Sequence, residues 1–257
     1  MFDKWFETLK KMASTAKDKA GFLLGALLAV AVVLAVAFIA EYFINRAHKK
    51  DNLQTSLNAK ESLKIHRMTL IAMLSAAAAV LMLLDFPIPL IPMFYKLDFS
   101  ELPIIIGAFA MGPVAGVAME FLKILLNLLL KGTSTAFIGE FANFIMGCCF
   151  IVPASILYYA HKTKRMSRIG LAVGIVTEVV CSCLLNAFLL LPAYAKLFHV
   201  DVSVLVGQGT ERNEMIKTLG TFIIYGVAPF NLLKYGVVSL ITILIYKHIS
   251  RLLKKQN

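Results

Sequence analysis

The chain has 257 residues, of which 59% are hydrophobic and 16% charged, with a formal net charge of +11. Soluble domains carry about 25% charged residues, so this composition excludes an ordinary soluble globule and points to a polytopic membrane protein. The excess positive charge sits in short polar connectors between apolar runs, where it sets topology, and a nucleic-acid-binding face is a poor second reading.

Residues 1–20 place Phe2, Trp5, Phe6, Leu9 and Met12 at helical spacing with lysines mostly opposite. That pattern suits either an amphipathic helix on a membrane surface or a polar tail. The run Gly21 to Ile44 exceeds twenty residues and reads as an uncleaved membrane helix. The Ala35-Val36-Ala37 stretch resembles a cleavage site, but cutting there would leave the basic linker on the wrong side. The linker NRAHKKDNLQTSLNAKESLKIHR then divides an appendage, residues 1–65, from a main domain, residues 66–257.

From residue 66 the apolar runs predict helices near 66–85, 101–112, 113–131, 138–161, 169–196 and 218–250. Met111-Gly112-Pro113 is a turn of almost no length, with proline favouring a helix start. Lys and Arg number fourteen in the linker, the 162–168 segment and the C-terminus, against five (Lys96, Lys131, Lys196, Arg212, Lys217) on the other side. The C-terminus is therefore expected in the cytoplasm. If residues 21–44 cross once, the N-terminal tail with its five lysines lies outside, against the same rule.

The misfits within the apolar runs are Glu120, Lys123 and Asn127, Glu140 and Asn143, Glu178 and Asn186, and Asn231 and Lys234. Glu120 and Lys123, three apart, can meet as an internal ion pair, which is preferred over a ligand contact. Lys234 has no acid three or four residues away, so its partner must come from another helix or from a ligand. Asn186, Asn231 and Lys234 lie on consecutive antiparallel helices and can converge in the outer half of the membrane. An isolated asparagine is more often a helix–helix hydrogen bond, but two beside an unpaired lysine favour a polar pocket. Glu178 lies deeper, with no role assigned.

The outer segment FPIPLIPMFYKLDFSELP holds four prolines, three of which (Pro87, Pro89, Pro92) favour extended backbone. Its apolar, aromatic content suits a lid over a planar ligand, or a loop dipping into the interface. KGTSTAFIGE on the same side offers small hydroxyl residues and two glycines. Ala72 and Ala76 form a small-xxx-small repeat that lets another helix approach closely, whether from a partner or from the same chain. Cys148, Cys149, Cys181 and Cys183 lie in apolar runs, and the histidines are scattered, so no metal-ligand spacing exists. The chain has no GxxxxGK[ST], HExxH or GxSxG. A membrane enzyme therefore lacks a catalytic constellation, and a pocket without a motor means a receptor, a carrier, or the recognition subunit of a larger pump.

MLSAAAAVLMLLDFPIP, KLDFSELP, MGPVAGVAMEFLK, GTSTAFIGEFANFIMG, LNAFLLLPAY and APFNLLKYGVV, in that order over about residues 66–250, resemble the riboflavin-specific substrate-binding subunits of energy-coupling factor (ECF) transporters. The resemblance implies an all-α integral membrane protein: a six-helix transmembrane bundle, here with one extra N-terminal helix. It implies a non-enzymatic subunit of the plasma membrane, with riboflavin as transported ligand and no cofactor. The implied partners are a transmembrane coupling subunit and two ABC-type ATPases. Asn186, Asn231 and Lys234 would hydrogen-bond the flavin, and the ligand set would extend to Leu97 and Asp98 of KLDFSELP and to Thr133 and Asn143 of GTSTAFIGEFANFIMG. The ligand's polar edge and a wet cavity would solvate Lys234. The proline-rich segment would be the lid, and Ala72 and Ala76 would dock the coupling subunit. The alternatives are a flavin (FMN/FAD) carrier acting alone or in another assembly, with Lys131 and Lys196 placed to meet a phosphate, or a subunit for a different vitamin. Two features depart from the pattern: the N-terminal 65 residues, and the long outer segment VDVSVLVGQGTERNEMIKT, residues 200–218.

Overall fold

A computed structural model describes residues 25, 28–47, 57–88, 95–133 and 135–254. The amphipathic pattern of residues 1–20, Pro89 and Pro92 lie outside the described residues. In chain order the elements are α1 (Leu28–Ala47), α2 (Leu57–Leu83), β1 (Phe86–Pro87), β2 (Lys96–Leu97), α3 (Glu101–Met111), α4 (Pro113–Lys131) and α5 (Ile138–His161). They continue with α6 (Lys164–Leu185), α7 (Leu191–Phe198), α8 (Val202–Thr210), α9 (Leu219–Phe222) and α10 (Ala228–Lys254). A π-helical turn at Asn186–Leu190 joins α6 to α7, and another at Ile223–Val227 joins α9 to α10. Six helical stretches among the described residues are long and apolar enough to cross a membrane, and α3 is a shorter apolar helix.

Two expectations need correction. α2 begins at Leu57 rather than near residue 66, because LNAKESLK is rich in good helix formers and extends the apolar run without a breaker. The segment 200–218 is not a plain loop. It carries α8, whose Leu205 and Val206 bury against Leu191, Ala195, Ile216 and Phe222.

The core is centred on α3. Ile104, Ile105, Ala108 and Phe109 pack against Phe150, Ile151, Ala154 and Tyr158 of α5 and Tyr235 and Val238 of α10. α5 and α6 approach closely because α6 presents Gly170 and Gly174. A Cβ on either would come within 2.6 Å of a backbone carbonyl of α5, from Ala154 and Phe150 respectively. Such glycine spacing is the usual means of bringing membrane helices into contact. Within α2, Ser75, Ala78 and Ala79 face inward, whereas Ala72 and Ala76 are exposed.

The appended helix α1 packs on the bundle through Ala37, which is buried with Val117, Phe144, Ile145, Cys148 and Val152. Its Glu41 reaches the α3–α4 turn. Oε2 accepts from the Val114 backbone N–H at 3.0 Å and Oε1 accepts from Arg67 at 3.2 Å, while Arg67 also donates to the Met111 carbonyl at 2.8 Å. A carboxylate there answers unpaired N–H groups at the start of α4. Gly112, in the left-handed region at φ 97°, makes the turn possible.

Candidate functional site

The antiparallel hairpin pairs Phe86 with Leu97 and Pro87 with Lys96. Its apolar side seals onto α10, with Leu97 buried against Phe230 and flanked by Ile88, Tyr95 and Phe99. Outside, Asp85 takes Lys131 at 2.7 Å and Lys96 at 3.3 Å, tying the hairpin base to the end of α4. Lys131, considered above for a phosphate, thus already has a carboxylate partner.

Beyond β2 the chain turns into α3, and Asp98 shapes that turn. Its Oδ1 accepts from the Ser100 N–H at 2.9 Å and the Ser100 hydroxyl at 2.5 Å. Its Oδ2 is left for the Lys234 ammonium of α10 at 2.8 Å. Both side chains are only 8% exposed. Burial pushes the Asp98 carboxyl up, but the charges of Lys234 and Lys123 and the hydrogen bonds from Lys234 and Ser100 overcome it, leaving it at about 2. The carboxylate is therefore ionised and the pair is a true ion pair. A partner of Lys234 that the spacing did not reveal comes from the short segment before α3, 136 residues away.

A second buried ion cluster lies close by. Lys123 meets Glu120 at 2.5 Å, as the i, i+3 spacing implied, and also Glu101 of α3 at 2.7 Å. All three are at most 2% exposed. Glu101 is the member that sequence reasoning missed, because it lies on a different helix.

The asparagines are set by the two π-turns. Asn186 opens the first, and its amide donates to the Ser182 carbonyl at 2.8 Å. Asn231 donates to the carbonyl of Val227, the last residue of the second, at 3.0 Å. A carbonyl partner can be met only by the NH2 end, so each side-chain oxygen is left as an acceptor. The oxygen of Asn186 accepts the Tyr95 hydroxyl at 2.5 Å, and that of Asn231 receives no hydrogen bond from a described residue. π-Turns widen a helix locally and recur at functional sites; these two touch each other across antiparallel helices. Tyr95 closes the arrangement, its ring 5.3 Å from Phe230 and 6.2 Å from Phe222. Burial, then the neighbouring Tyr194 and Cys183, push its phenol well up, so it remains a donor.

Asp98, Leu97, Lys234, Asn231 and Asn186 thus gather beneath the hairpin. Thr133 is exposed in the α4–α5 connection, where its hydroxyl accepts from the Thr135 and Phe137 N–H groups at 3.2 and 3.1 Å. Asn143 is half-buried on α5. Among the described residues, no hydrogen bond joins either to the Asp98–Lys234 pair. Tyr95 escaped the sequence reading, although it adjoins the KLDFSELP motif. The site combines apolar and aromatic walls, one ammonium and several amide and carboxylate groups. Such a site sets a few convergent polar groups beside apolar walls, the usual make-up of a small-molecule site.

Comparison with known proteins gives a consistent result. The sequence model described as "ECF transporter, substrate-specific component" matches residues 66–246. A riboflavin transporter RibU of Staphylococcus aureus (strain TCH60) is 33% identical over 189 residues, covering 74% of this chain and 93% of that protein. The riboflavin transporter FmnP of Bacillus subtilis (strain 168) is 32% identical over 196 residues, covering 76% and 97%. A solved structure, described as the S component of a bacterial ECF transporter, superposes with a TM-score of 0.58 at 31% identity, covering 74% of this chain and 99% of its own.

Proposed function

Since the chain belongs to the family of substrate-specific components of ECF transporters, we propose that it is the riboflavin-capturing subunit of an ATP-driven importer. The observation that carries this reading is the buried set of Asp98, Lys234, Asn231 and Asn186 under the apolar hairpin. A flavin ring is a large apolar plane with an imide edge of two carbonyls flanking one N–H. An ammonium suits a carbonyl, and the open Asn231 oxygen suits the N–H. Hydrogen bonds made where water is excluded discriminate strongly, because a ligand lacking the matching group leaves buried polar atoms unpaired. Thr133 and Asn143 stand further out as candidates for the ligand's polar tail.

The chain itself performs no chemistry in this reading. It hands its ligand to a transmembrane coupling subunit driven by two ABC-type ATPases. The exposed Ala72 and Ala76 of α2 support a docking face, since small residues let a partner helix come close. The basic linker, the 162–168 connection and the C-terminus lie in the cytoplasm, and the hairpin faces outward. A flavin phosphate is the weaker ligand choice, given that Lys131 is held by Asp85.

Reconstitution into vesicles with a coupling subunit and its ATPases tests the proposal. Riboflavin should accumulate only with ATP and only when this chain is present. Accumulation without ATP or without the coupling subunit would make it a carrier acting alone.

A further inference from the structure

Helix α4 holds the hairpin at both of its ends. Before β1, Asp85 takes Lys131 at 2.7 Å, in an ion pair whose lysine is 43% exposed. Exposed pairs of this kind stabilise little. After β2 the tie is of another sort. Glu101, the first residue of α3, takes Lys123 at 2.7 Å, and neither side chain is more than 2% exposed. The second Glu101 oxygen has no hydrogen-bond partner, so among the described residues Lys123 is what holds this carboxyl. Lys123 is fixed in turn by Glu120, at 2.5 Å. The seat of Glu120 is cut into α5 at Gly147, where a Cβ would overlap the carboxyl.

Asp98 and Glu101 stand at the two ends of one tight turn. Ser100 donates its N–H and its hydroxyl to Asp98, and the Leu102 N–H reaches back to the Phe99 carbonyl at 3.1 Å. Two buried ammonium groups from different helices pin this turn, Lys234 of α10 on Asp98 and Lys123 of α4 on Glu101. A turn so short and so bonded has little freedom to shift at one end alone. We propose that Lys123 and Glu101 are positioning residues of the ligand site: their ion pair fixes the first turn of α3, and with it the placing of Asp98 against Lys234. Glu120 is the second counter-ion that keeps Lys123 compensated in the interior. The proposal rests on Asp98 and Lys234 belonging to the riboflavin site, but the coupling between the two ion pairs is measurable without a ligand.

The test compares Glu101→Met with Glu120→Met in the full chain in detergent. Each removes one buried carboxylate from the same ammonium and leaves it the other, so charge and burial change alike, but only Glu101→Met frees the turn. Followed by quenching of flavin fluorescence, Glu101→Met should weaken riboflavin binding at least about fivefold, and Glu120→Met less than about twofold. The loss should not add to that of Asp98→Asn, because an absent carboxylate has no place to keep, and it should add to that of Asn231→Ala on α10. Without ligand, the drop in unfolding midpoint caused by Asp98→Asn should be at most about half as large in the Glu101→Met background as in wild type, and undiminished in the Glu120→Met background. Charge alone predicts the reverse, since removing a nearby negative charge favours the Asp98 carboxylate. If Glu101→Met does not fold, the variant combining Glu101→Met, Glu120→Met and Lys123→Met leaves no charge in the cluster, and should bind riboflavin at least about fivefold more weakly than wild type. Equal losses in Glu101→Met and Glu120→Met, an undiminished effect of Asp98→Asn beside Glu101→Met, or wild-type affinity in the charge-free variant would overturn the proposal. Failure of the wild type to bind riboflavin would instead sink the ligand assignment, while the ligand-free comparison still decides the coupling.

Discussion

Replacing Asp98 by Asn keeps the shape of the turn into α3 and an oxygen for Ser100, but removes the charge facing Lys234. The size of the effect follows from the carboxyl's displacement. It lies at about 2 against an ordinary 3.8, a gap of nearly two pH units, and so the ionised form is favoured in the folded chain by about 2 kcal/mol. The sign is that of a depressed acid. Between the two values the unfolded chain binds more protons, so the stabilisation is complete above about pH 4 and fades as pH falls toward 2. For a chain of this size, about 2 kcal/mol corresponds to a midpoint lower by roughly 4–8 °C near neutral pH. Thermal unfolding of wild type and Asp98→Asn in detergent, repeated from pH 7 to pH 3, should show this gap and then lose about half of it by pH 3. A gap that stayed constant across that range would refute the reasoning, because the lost contact would then not depend on an ionised carboxylate.

Asn186→Ala and Asn231→Ala should each weaken riboflavin binding by about tenfold, the size of one buried hydrogen bond, with the fold retained; unchanged titration curves would remove them from the site. Ala72→Trp should leave ligand binding intact and block uptake in the reconstituted assembly, and loss of binding instead would rule out α2 as the docking face. Gly174→Ala should cost about 1–3 kcal/mol by driving a Cβ into the Phe150 carbonyl; an unaltered midpoint would mean that α5 and α6 do not meet there.

The long helices were legible because their apolar runs match the bilayer and their ends carry Pro, Gly or basic clusters. Helix α8 was not. VSVLVGQGT is short and holds two glycines, and it becomes helical because Leu205 and Val206 can bury against Ile216 and Phe222. The π-turns were equally invisible, since nothing in NAFLL or IIYGV marks one extra residue per turn. Asn186, Asn231 and Lys234 stood out because polar groups are rare in apolar runs, and Glu120 with Lys123 because helix geometry fixes what lies three residues away. The Asp98–Lys234 pair could not be read this way: the partners are joined only by the tertiary fold. The same holds for Glu101 with Lys123, and for Tyr95 with Asn186.

Binding itself tests the central claim most directly. The purified chain is titrated with riboflavin, and separately with FMN, while quenching of flavin fluorescence is followed in wild type and in Lys234→Ala. Tight one-to-one quenching by riboflavin, weaker for FMN and lost in Lys234→Ala, is the expected result. Absence of quenching by either flavin, or tight binding that survives Lys234→Ala, would contradict the account.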